Sequence, residues 1–189
     1  MDKRNKIRGC MIGGAVGDAL GYAVEFLTED KIFAKYGKAG ITDYELTGGT
    51  ALISDDTQMT MFTAAALLDG AASGQFTESI AEGYRDWYRT QIGARLSVAA
   101  DNSHLGRLMS IPELYSNRAP GNTCLSALRS ERLGAIGEPI NNSKGCGGVM
   151  RAAPIGLLFA NGNFPAEAAK EADMLGAKAA ALTHGHELG

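Results

Sequence analysis

Cysteine, long apolar runs and an excess of either charge are all scarce in this 189-residue sequence. The three cysteines, Cys10, Cys124 and Cys146, are odd in number and follow no metal or disulfide spacing, which fits a reducing compartment. No run reaches the ~18 apolar residues of a membrane span. Eighteen basic against 21 acidic residues give a formal charge of −3, and no basic stripe is present. We therefore expect a cytoplasmic protein that binds neither membrane nor nucleic acid.

The basic N-terminus resembles the start of a signal peptide, because four cationic residues precede a Gly/Ala-rich stretch. Asp18 interrupts that stretch, and its glycines make it a poor apolar segment for export. The length predicts one domain with a sizeable core, spanning residues 1–189.

Hydrophobic periodicity predicts a predominantly helical chain without a confident strand. Residues 41–46 alternate weakly, and we interpret them as part of a loop. We expect Asn122 or Thr123 to cap a helix that ends at Leu128, and Asn163 to cap the last helix or helix pair, which would meet at Gly176. That last helix or pair is predicted over 165–182, beginning at Pro165. The other helices are predicted over 7–22, 28–36 and 55–70, from Thr77 onward, in short pieces between 92 and 115, and from Pro154 onward. The helix from Thr77 is amphipathic, and its core-facing side carries Ile80, Tyr84, Trp87 and Tyr88.

Glycines recur every four residues in the first predicted helix, at Gly9, Gly13, Gly17 and Gly21. Each one costs about 1 kcal/mol relative to alanine in a helix interior. We therefore expect a second helix to press closely against this ridge. Asp18 lies among these small residues, and we interpret it mainly as a cap for a neighbouring backbone, with a site role as the lesser alternative.

The tetrapeptide Ser54-Asp55-Asp56-Thr57 precedes an apolar run over 59–68. Ser54 is a natural N-cap, and the two aspartates then lie in the first turn, where the helix dipole favours negative charge. A helix this apolar should enter the interior and carry both carboxylates partly with it. Buried charge without a partner is costly, so the pair is typical of a site for a hard cation such as Mg²⁺. An ordinary capping role for both residues stays open.

A second glycine-rich stretch precedes the helix predicted at Pro154. Its glycines allow a ligand to approach the backbone, and its amides are suited to phosphate. A plain turn is the alternative. Gly121, in the turn before the preceding helix, offers further amides. The pair His184 and His186 does not share one helical face, so a zinc site made by these two alone is improbable. The stretch reads Ser143-Lys144-Gly145-Cys146-Gly147-Gly148.

Four segments, in this order, resemble the ADP-ribosylglycohydrolase family, whose founding member removes ADP-ribose from dinitrogenase reductase. They are RGCMIGGAVGDALG (8–21) with Glu25, SDDT (54–57), GCGGVMRAAP (145–154) and THGH (183–186). The resemblance implies an all-α, orthogonally packed helical domain with a cleft that holds two Mg²⁺ or Mn²⁺ ions. It also implies hydrolysis of the glycosidic bond between ADP-ribose and an acceptor such as arginine, serine or a small molecule.

The resemblance assigns roles residue by residue. Ser54, Asp55 and Asp56 match the metal-binding segment. Glu25 matches a carboxylate near the metals that is implicated in catalysis, together with the two aspartates, or in metal contact. The remaining matches form the wall that receives ADP-ribose, either free or on a modified protein. This wall comprises Ser143, Lys144, Gly145, Cys146, Gly147, Gly148 and His184. We add Gly121 to it because of its exposed amides at a helix start, and not because of the resemblance. Cys146 stands where relatives often carry Asn, which removes an amide from the ribose contacts.

The chain departs from the family in lacking its second metal-binding segment, an Asp-x-Asp-Thr motif. We therefore expect a domain whose C-terminal part is missing and whose metal affinity is weaker than that of a complete relative. Two other interpretations stay open. One is a non-catalytic relative that binds ADP-ribose or serves a structural role, and the other is an inactive fragment.

Overall fold

A computed structural model describes residues 2–94, 102–160 and 166–189 as a mainly helical domain with one small β-ladder. The all-α prediction is confirmed, and the ladder pairs Leu46 with Ala51 and Thr47 with Thr50 in antiparallel register. The elements are α1 (Lys3–Gly21), α2 (Glu29–Tyr36), β1 (Leu46–Thr47), β2 (Thr50–Ala51), α3 (Asp55–Gly70), α4 (Phe76–Gln91), α5 (His104–Met109), a 3₁₀ turn (Pro112–Tyr115), α6 (Asn122–Arg129), α7 (Ala153–Phe159) and α8 (Ala166–Ala181).

Helix α3 is the central element, and it packs against α4, α5 and α7. Its apolar run enters the interior as predicted, with Met59 and Phe62 fully buried. Helix α4 presents Tyr84 and Trp87 to the same core, and both are also fully buried. Burial of each such side chain contributes about 1.5–3 kcal/mol to folding. The predicted aromatic face of α4 is therefore the main partner of α3.

One buried glutamine joins α3 to two other parts of the fold. Gln58 Oε1 accepts hydrogen bonds from Trp87 Nε1 at 3.1 Å and from Gln91 Nε2 at 3.0 Å. Gln58 Nε2 donates to the carbonyl of Ser116 at 3.0 Å. Since buried polar groups need partners, this network fixes the segment after the 3₁₀ turn against the start of α3.

Asp69, at the other end of α3, holds the N-terminus of α5. Its carboxylate accepts hydrogen bonds from the backbone N–H of His104 at 2.8 Å and of Leu105 at 2.9 Å. His104 Nδ1 lies 2.7 Å from the same carboxylate. His104, which had no role predicted from the sequence, thus contacts Asp69 through both its backbone N–H and its ring in the first turn of α5.

The glycine ridge of α1 does not pack against a second helix, so that prediction is wrong for the part of the chain that the structure describes. A Cβ added at Gly9, Gly13, Gly17 or Gly21 would meet no atom within 4 Å. Helix α1 packs against α3 and α7 through another face, and Ala19 is its buried residue. Glycine spacing permits a close approach but supplies no apolar area to drive one, which is why the pattern misled.

Two cap predictions also need correction or fall outside the structure. Helix α6 has Gly121 at its N-cap position, so neither Asn122 nor Thr123 caps it. Helix α8 runs without a break through Gly176. The predicted cap Asn163 and the start at Pro165 lie outside the described residues, as do residues 95–101. Within the described ranges, none of the helices is both long and apolar enough to cross a membrane.

Two glycine-to-alanine changes should alter stability with opposite signs. At Gly83 of α4 an added Cβ would lie 3.0 Å from Ala66 Cβ and 3.1 Å from the carbonyl oxygen of Phe62, both on α3. Gly83→Ala should therefore destabilise the protein by about 1–2 kcal/mol through overpacking. Gly13→Ala should stabilise it by about 0.5–1 kcal/mol, since only helix propensity changes. Urea unfolding of both variants measures this, and a destabilising Gly13→Ala would show that the ridge is covered in solution.

Candidate functional site

The start of α3 is capped from α1 by Asp18. Asp18 Oδ2 accepts hydrogen bonds from the backbone N–H of Ser54 at 2.9 Å, from the backbone N–H of Thr57 at 3.2 Å and from the Thr57 hydroxyl. Ser54 Oγ accepts the N–H of Asp56 at 3.1 Å. Both capping predictions, for Asp18 and for Ser54, are confirmed. The two caps satisfy the donors that a helix start leaves unpaired.

Asp55 is held on its other side by the turn that precedes α6. Its side-chain Oδ2 accepts the N–H of Gly121 at 3.1 Å, and its own N–H donates to the carbonyl of Arg118 at 3.0 Å. Ala119, between these two, has a positive φ of 54°, which few non-glycine residues adopt. Asp55 is only 5% exposed. The structure therefore brings Asp55 and Gly121 together.

The carboxyl groups around this helix start raise one another's pKa. Burial raises the pKa of Asp55 to about 6. The hydrogen bond from Gly121 acts to lower this pKa, whereas the negative charges of Asp56 and Glu25 act to raise it further. Burial and the charge of Asp18 raise the pKa of Asp56. Burial, followed by the charges of Asp56 and Asp18, raises the pKa of Glu25. Mutual repulsion of this kind is typical of carboxylates that share a site.

A groove of about 920 Å³ runs along α1 past this acidic group. Asp18, Glu25, Ser54 and Asp56 line it, together with mostly apolar or glycine positions of α1. Asp55 is not part of the lining, nor are Gly121, the 143–148 loop and His184. The predicted residues Glu25, Ser54 and Asp56 thus gather at one groove, whereas Asp55 and the predicted ADP-ribose wall lie outside its lining.

The chemistry of the acidic group suits a hard cation, because its ligands would be carboxylate and hydroxyl oxygens. Among the described residues, no ion pair involves Asp18, Glu25, Asp55 or Asp56. No three His, Cys, Asp or Glu side chains of the described ranges lie close enough to hold one ion together. Mg²⁺ commonly keeps several waters and takes one or two protein carboxylates, so the residues present fit a partly hydrated ion.

The glycine-rich stretch over 143–148 forms a loop, the glycine loop, and only part of it is accessible to solvent. Gly145 and Cys146 are exposed, whereas Gly147 and Gly148 are buried by the protein itself. A Cβ at Gly147 would lie 2.6 Å from His184 Cε1 and 3.0 Å from Cys124 Sγ. Gly147 also has no positive φ. His184 and Cys124 occupy the space that a side chain at this position would need, which is a packing reason for glycine here.

Helix α6 connects the glycine loop to the acidic group. Gly121, at its N-cap position, donates to Asp55, and Thr123 Oγ1 lies 3.0 Å from Ser143 Oγ at the start of the loop. Cys124 lies against Gly147. The first turn of one helix thus contacts both halves of the predicted site.

His184 follows the end of α8 and is buried against this loop. Its backbone N–H donates to the carbonyl of Ala180 at 2.9 Å, and its Nδ1 lies 2.8 Å from Thr183 Oγ1. Burial, aided by the charge of Arg151, lowers the pKa of His184 to about 4. The ring is neutral at physiological pH, and its place beside Gly145 and Gly147 agrees with the predicted wall.

Comparison with known proteins supports the resemblance along the whole chain. The family model described as ADP-ribosylglycohydrolase matches residues 1–189. The chain belongs to the ADP-ribosylglycohydrolase family. The match identifies the family and not the subfamily that acts on dinitrogenase reductase. No curated protein and no solved structure matches the chain significantly.

Arg151 is the first charged residue after the glycine loop of this ADP-ribosylglycohydrolase domain, and it had no role predicted from the sequence. Its side chain is fully buried, with Nη2 donating to Thr183 Oγ1 at 2.7 Å and to the carbonyl of Ala179 at 3.1 Å. Its Cζ lies 4.0 Å from the centroid of the Tyr84 ring. A single cation within an apolar run was the available signal, because such a residue is rarely buried without a specific purpose.

Asp55→Asn should raise the melting temperature of the metal-free protein at about pH 7. The amide still accepts the Gly121 N–H, but it removes a desolvated charge and its repulsion with Asp56. A gain of about 1 kcal/mol corresponds to about 2–4 °C in a chain of this size. Because the folded-state pKa of Asp55 is raised, its stabilising contribution is present at about pH 4 and is lost as pH rises through about 6. The gain should therefore be small at about pH 4 and largest above about pH 6.5.

Asp69→Asn provides the matched control at the opposite end of α3. Burial acts to raise the pKa of Asp69, but the hydrogen bonds from His104 and Leu105 outweigh it and lower the pKa. The ionised form therefore stabilises the fold, and the variant should lower the melting temperature at about pH 7. A comparable loss of stability in both variants would show that Asp55 is an ordinary first-turn residue.

Proposed function

We propose that this chain is a metal-dependent hydrolase that cleaves the glycosidic bond between ADP-ribose and a protein side chain or small acceptor. Members of its family hydrolyse ADP-ribose linkages. The observation that carries the proposal for this chain is the group of mutually repelling carboxylates formed by Glu25 and Asp56, which line the groove beside α1, and by Asp55, which is buried next to them. Such a group is unfavourable in the apo protein and is explained by a cation that neutralises it.

The proposed cofactor is Mg²⁺ or Mn²⁺. Ser54, Asp55 and Asp56 would hold it, with water or substrate oxygens completing the coordination. When bound, the ion would supply Lewis-acid stabilisation of charge that develops at the ribose and the leaving group. The caps from Asp18 and Gly121 fix the start of α3, so the two aspartates are oriented before any ion binds.

Glu25 is the proposed acid–base group. It lies in the turn that follows α1, is exposed to the groove, and has a pKa raised by burial and by the charges of Asp56 and Asp18. A raised pKa brings a carboxyl group closer to the operating pH, where proton transfer to a leaving group or from a water is most effective.

The proposed ADP-ribose wall is the glycine loop with His184 and the N-terminus of α6. Ser143, Lys144, Gly145 and Cys146 form its accessible part, and Gly121 adds an exposed position at the start of α6. Gly147 and Gly148 support the wall from inside by leaving room for His184 and for α8. Loop amides and a helix start are suited to diphosphate oxygens.

A second candidate function is ADP-ribose binding without catalysis. The specific observation in its favour is that no three metal-ligating side chains of the described residues lie together. A chain that keeps the ligand wall but holds its ions weakly would bind ADP-ribose and turn over little. The two candidates differ in metal-dependent turnover and agree in binding.

Turnover on ADP-ribosyl-arginine and ADP-ribosyl-serine, with Mg²⁺ or Mn²⁺ and with chelator, tests the first candidate. Asp56→Asn should lower turnover by about 100-fold or more, because a main electrostatic contribution to the transition state is lost. Asp30→Asn is the matched control, since Asp30 also lies in a helix first turn but at the exposed start of α2. Turnover that persists in chelator, or in Asp56→Asn, contradicts the metal-dependent mechanism. ADP-ribose binding without any turnover supports the second candidate.

Gly147→Ala should weaken ADP-ribose binding by about tenfold or more, because the new Cβ would displace the His184 ring by collision. Gly156→Ala on α7 is the control, since a Cβ there meets no atom within 4 Å. Calorimetric titration with ADP-ribose measures affinity, and thermal melting checks that both variants fold. Wild-type affinity in folded Gly147→Ala would exclude the loop and His184 from the binding wall.

A further inference from the structure

His184 has two ring nitrogens in different environments. Nδ1 lies 2.8 Å from Thr183 Oγ1. Nε2 lies beside the glycine loop, 3.6 Å from where a Cβ of Gly145 would stand, and no described residue forms a hydrogen bond with it. The position of the proton in the neutral ring therefore determines whether Nε2 is a hydrogen-bond donor or an acceptor toward a ligand in the loop.

Arg151 determines the hydrogen bonding of the neighbouring threonine. A guanidinium group only donates, so Thr183 Oγ1 must accept the hydrogen bond from Arg151 Nη2 at 2.7 Å. The hydroxyl proton of Thr183 then points to another acceptor. Two are within reach, His184 Nδ1 and the thiol of Cys124. Since an imidazole nitrogen is a much stronger acceptor than a thiol sulfur, the proton is donated to Nδ1.

We propose that Arg151 and Thr183 form a positioning pair that keeps His184 in its Nε2–H form and aims this N–H at an oxygen of the ligand in the glycine loop. The ligand chemistry is an anionic diphosphate oxygen or a ribose hydroxyl. This inference rests on the proposed ADP-ribose wall. Oriented imidazoles elsewhere in proteins are fixed in the same manner, by the hydrogen bond that the other ring nitrogen makes.

The buried charge of Arg151 adds a second effect. Among the described residues it has no carboxylate partner, and it acts on His184 from the turn before α7. The titratable groups that face the guanidinium from other elements are Cys124 on α6 and Tyr84 on α4. A second positive charge beside the guanidinium is unfavourable, so the ring stays neutral. His184 is then a hydrogen-bond donor and not a general acid, and the proton transfer of the reaction is left to the carboxylates at the groove.

Nitrogen-15 NMR of the three histidine rings tests the pair in the ligand-free protein. At about pH 7 the wild-type His184 should show the Nε2–H form alone, with a hydrogen-bonded Nδ1. In Thr183→Val the Nδ1 signal should shift and the Nδ1–H form should become detectable, because the donor is lost. Thr183→Ser should restore the wild-type signals, and His104, far from this region at Asp69, serves as the internal reference.

Two results would contradict the proposal that Arg151 and Thr183 position His184. One is an Nδ1–H form of His184 in the wild type, which needs no variant. The other is an unchanged Nδ1 signal in folded Thr183→Val. The ligand is tested separately by adding ADP-ribose, which should shift the Nε2 signal and bind about tenfold more weakly to Thr183→Val than to Thr183→Ser. If ADP-ribose leaves the Nε2 signal unchanged, the proposed wall is rejected. The tautomer of His184 in the ligand-free protein still tests the positioning pair independently.

Discussion

Everything in this structure depends on burying α3 while its first turn carries carboxylates. The apolar residues of α3 draw the helix into the core, and Asp55 follows to 5% exposure. Two contacts limit the resulting cost: the Asp18 carboxylate satisfies the first donors of α3, and the Gly121 N–H meets Asp55. Neither contact neutralises charge, because one adds a further carboxylate and the other supplies only a dipole. The raised pKa of Asp55, Asp56 and Glu25 is the direct consequence.

The pKa values of the titratable groups on the two sides of the proposed site are shifted in opposite directions. At the groove, burial and like charges raise carboxyl pKa values, so these groups hold protons more readily. At the glycine loop, burial and Arg151 lower the pKa of His184, so its ring does not gain a second proton. The first turn of α6 contacts both sides through Gly121 and Cys124. In the proposed function, proton transfer and ligand hydrogen bonding therefore belong to separate groups, and one short helix contacts both.

The features that could be predicted from sequence patterns are those that depend on residues close together in the chain. The Ser54 cap, the extent of α3 and the aromatic face of α4 follow from hydrogen-bonding capacity and apolar periodicity within a few residues. The family resemblance added Glu25, the glycine loop and His184, which no spacing rule connects. Tertiary contacts decided the rest. The reason for glycine at 147 is visible only once His184 and Cys124 occupy the adjacent space, and the capping of α5 by Asp69 joins residues 35 positions apart.

The open glycine ridge of α1 acquires a physical meaning from the groove that it borders. Gly17 and Gly21 of the ridge line the same groove as Glu25 and Asp56, together with the neighbouring Gly14. Side chains at these positions would project into space that no described atom fills. Glycine costs about 1 kcal/mol per position in a helix interior, and packing within the described fold does not offset it. The small residues therefore leave room next to the carboxylates, and α1 contributes to the site both the Asp18 cap and the width of the groove.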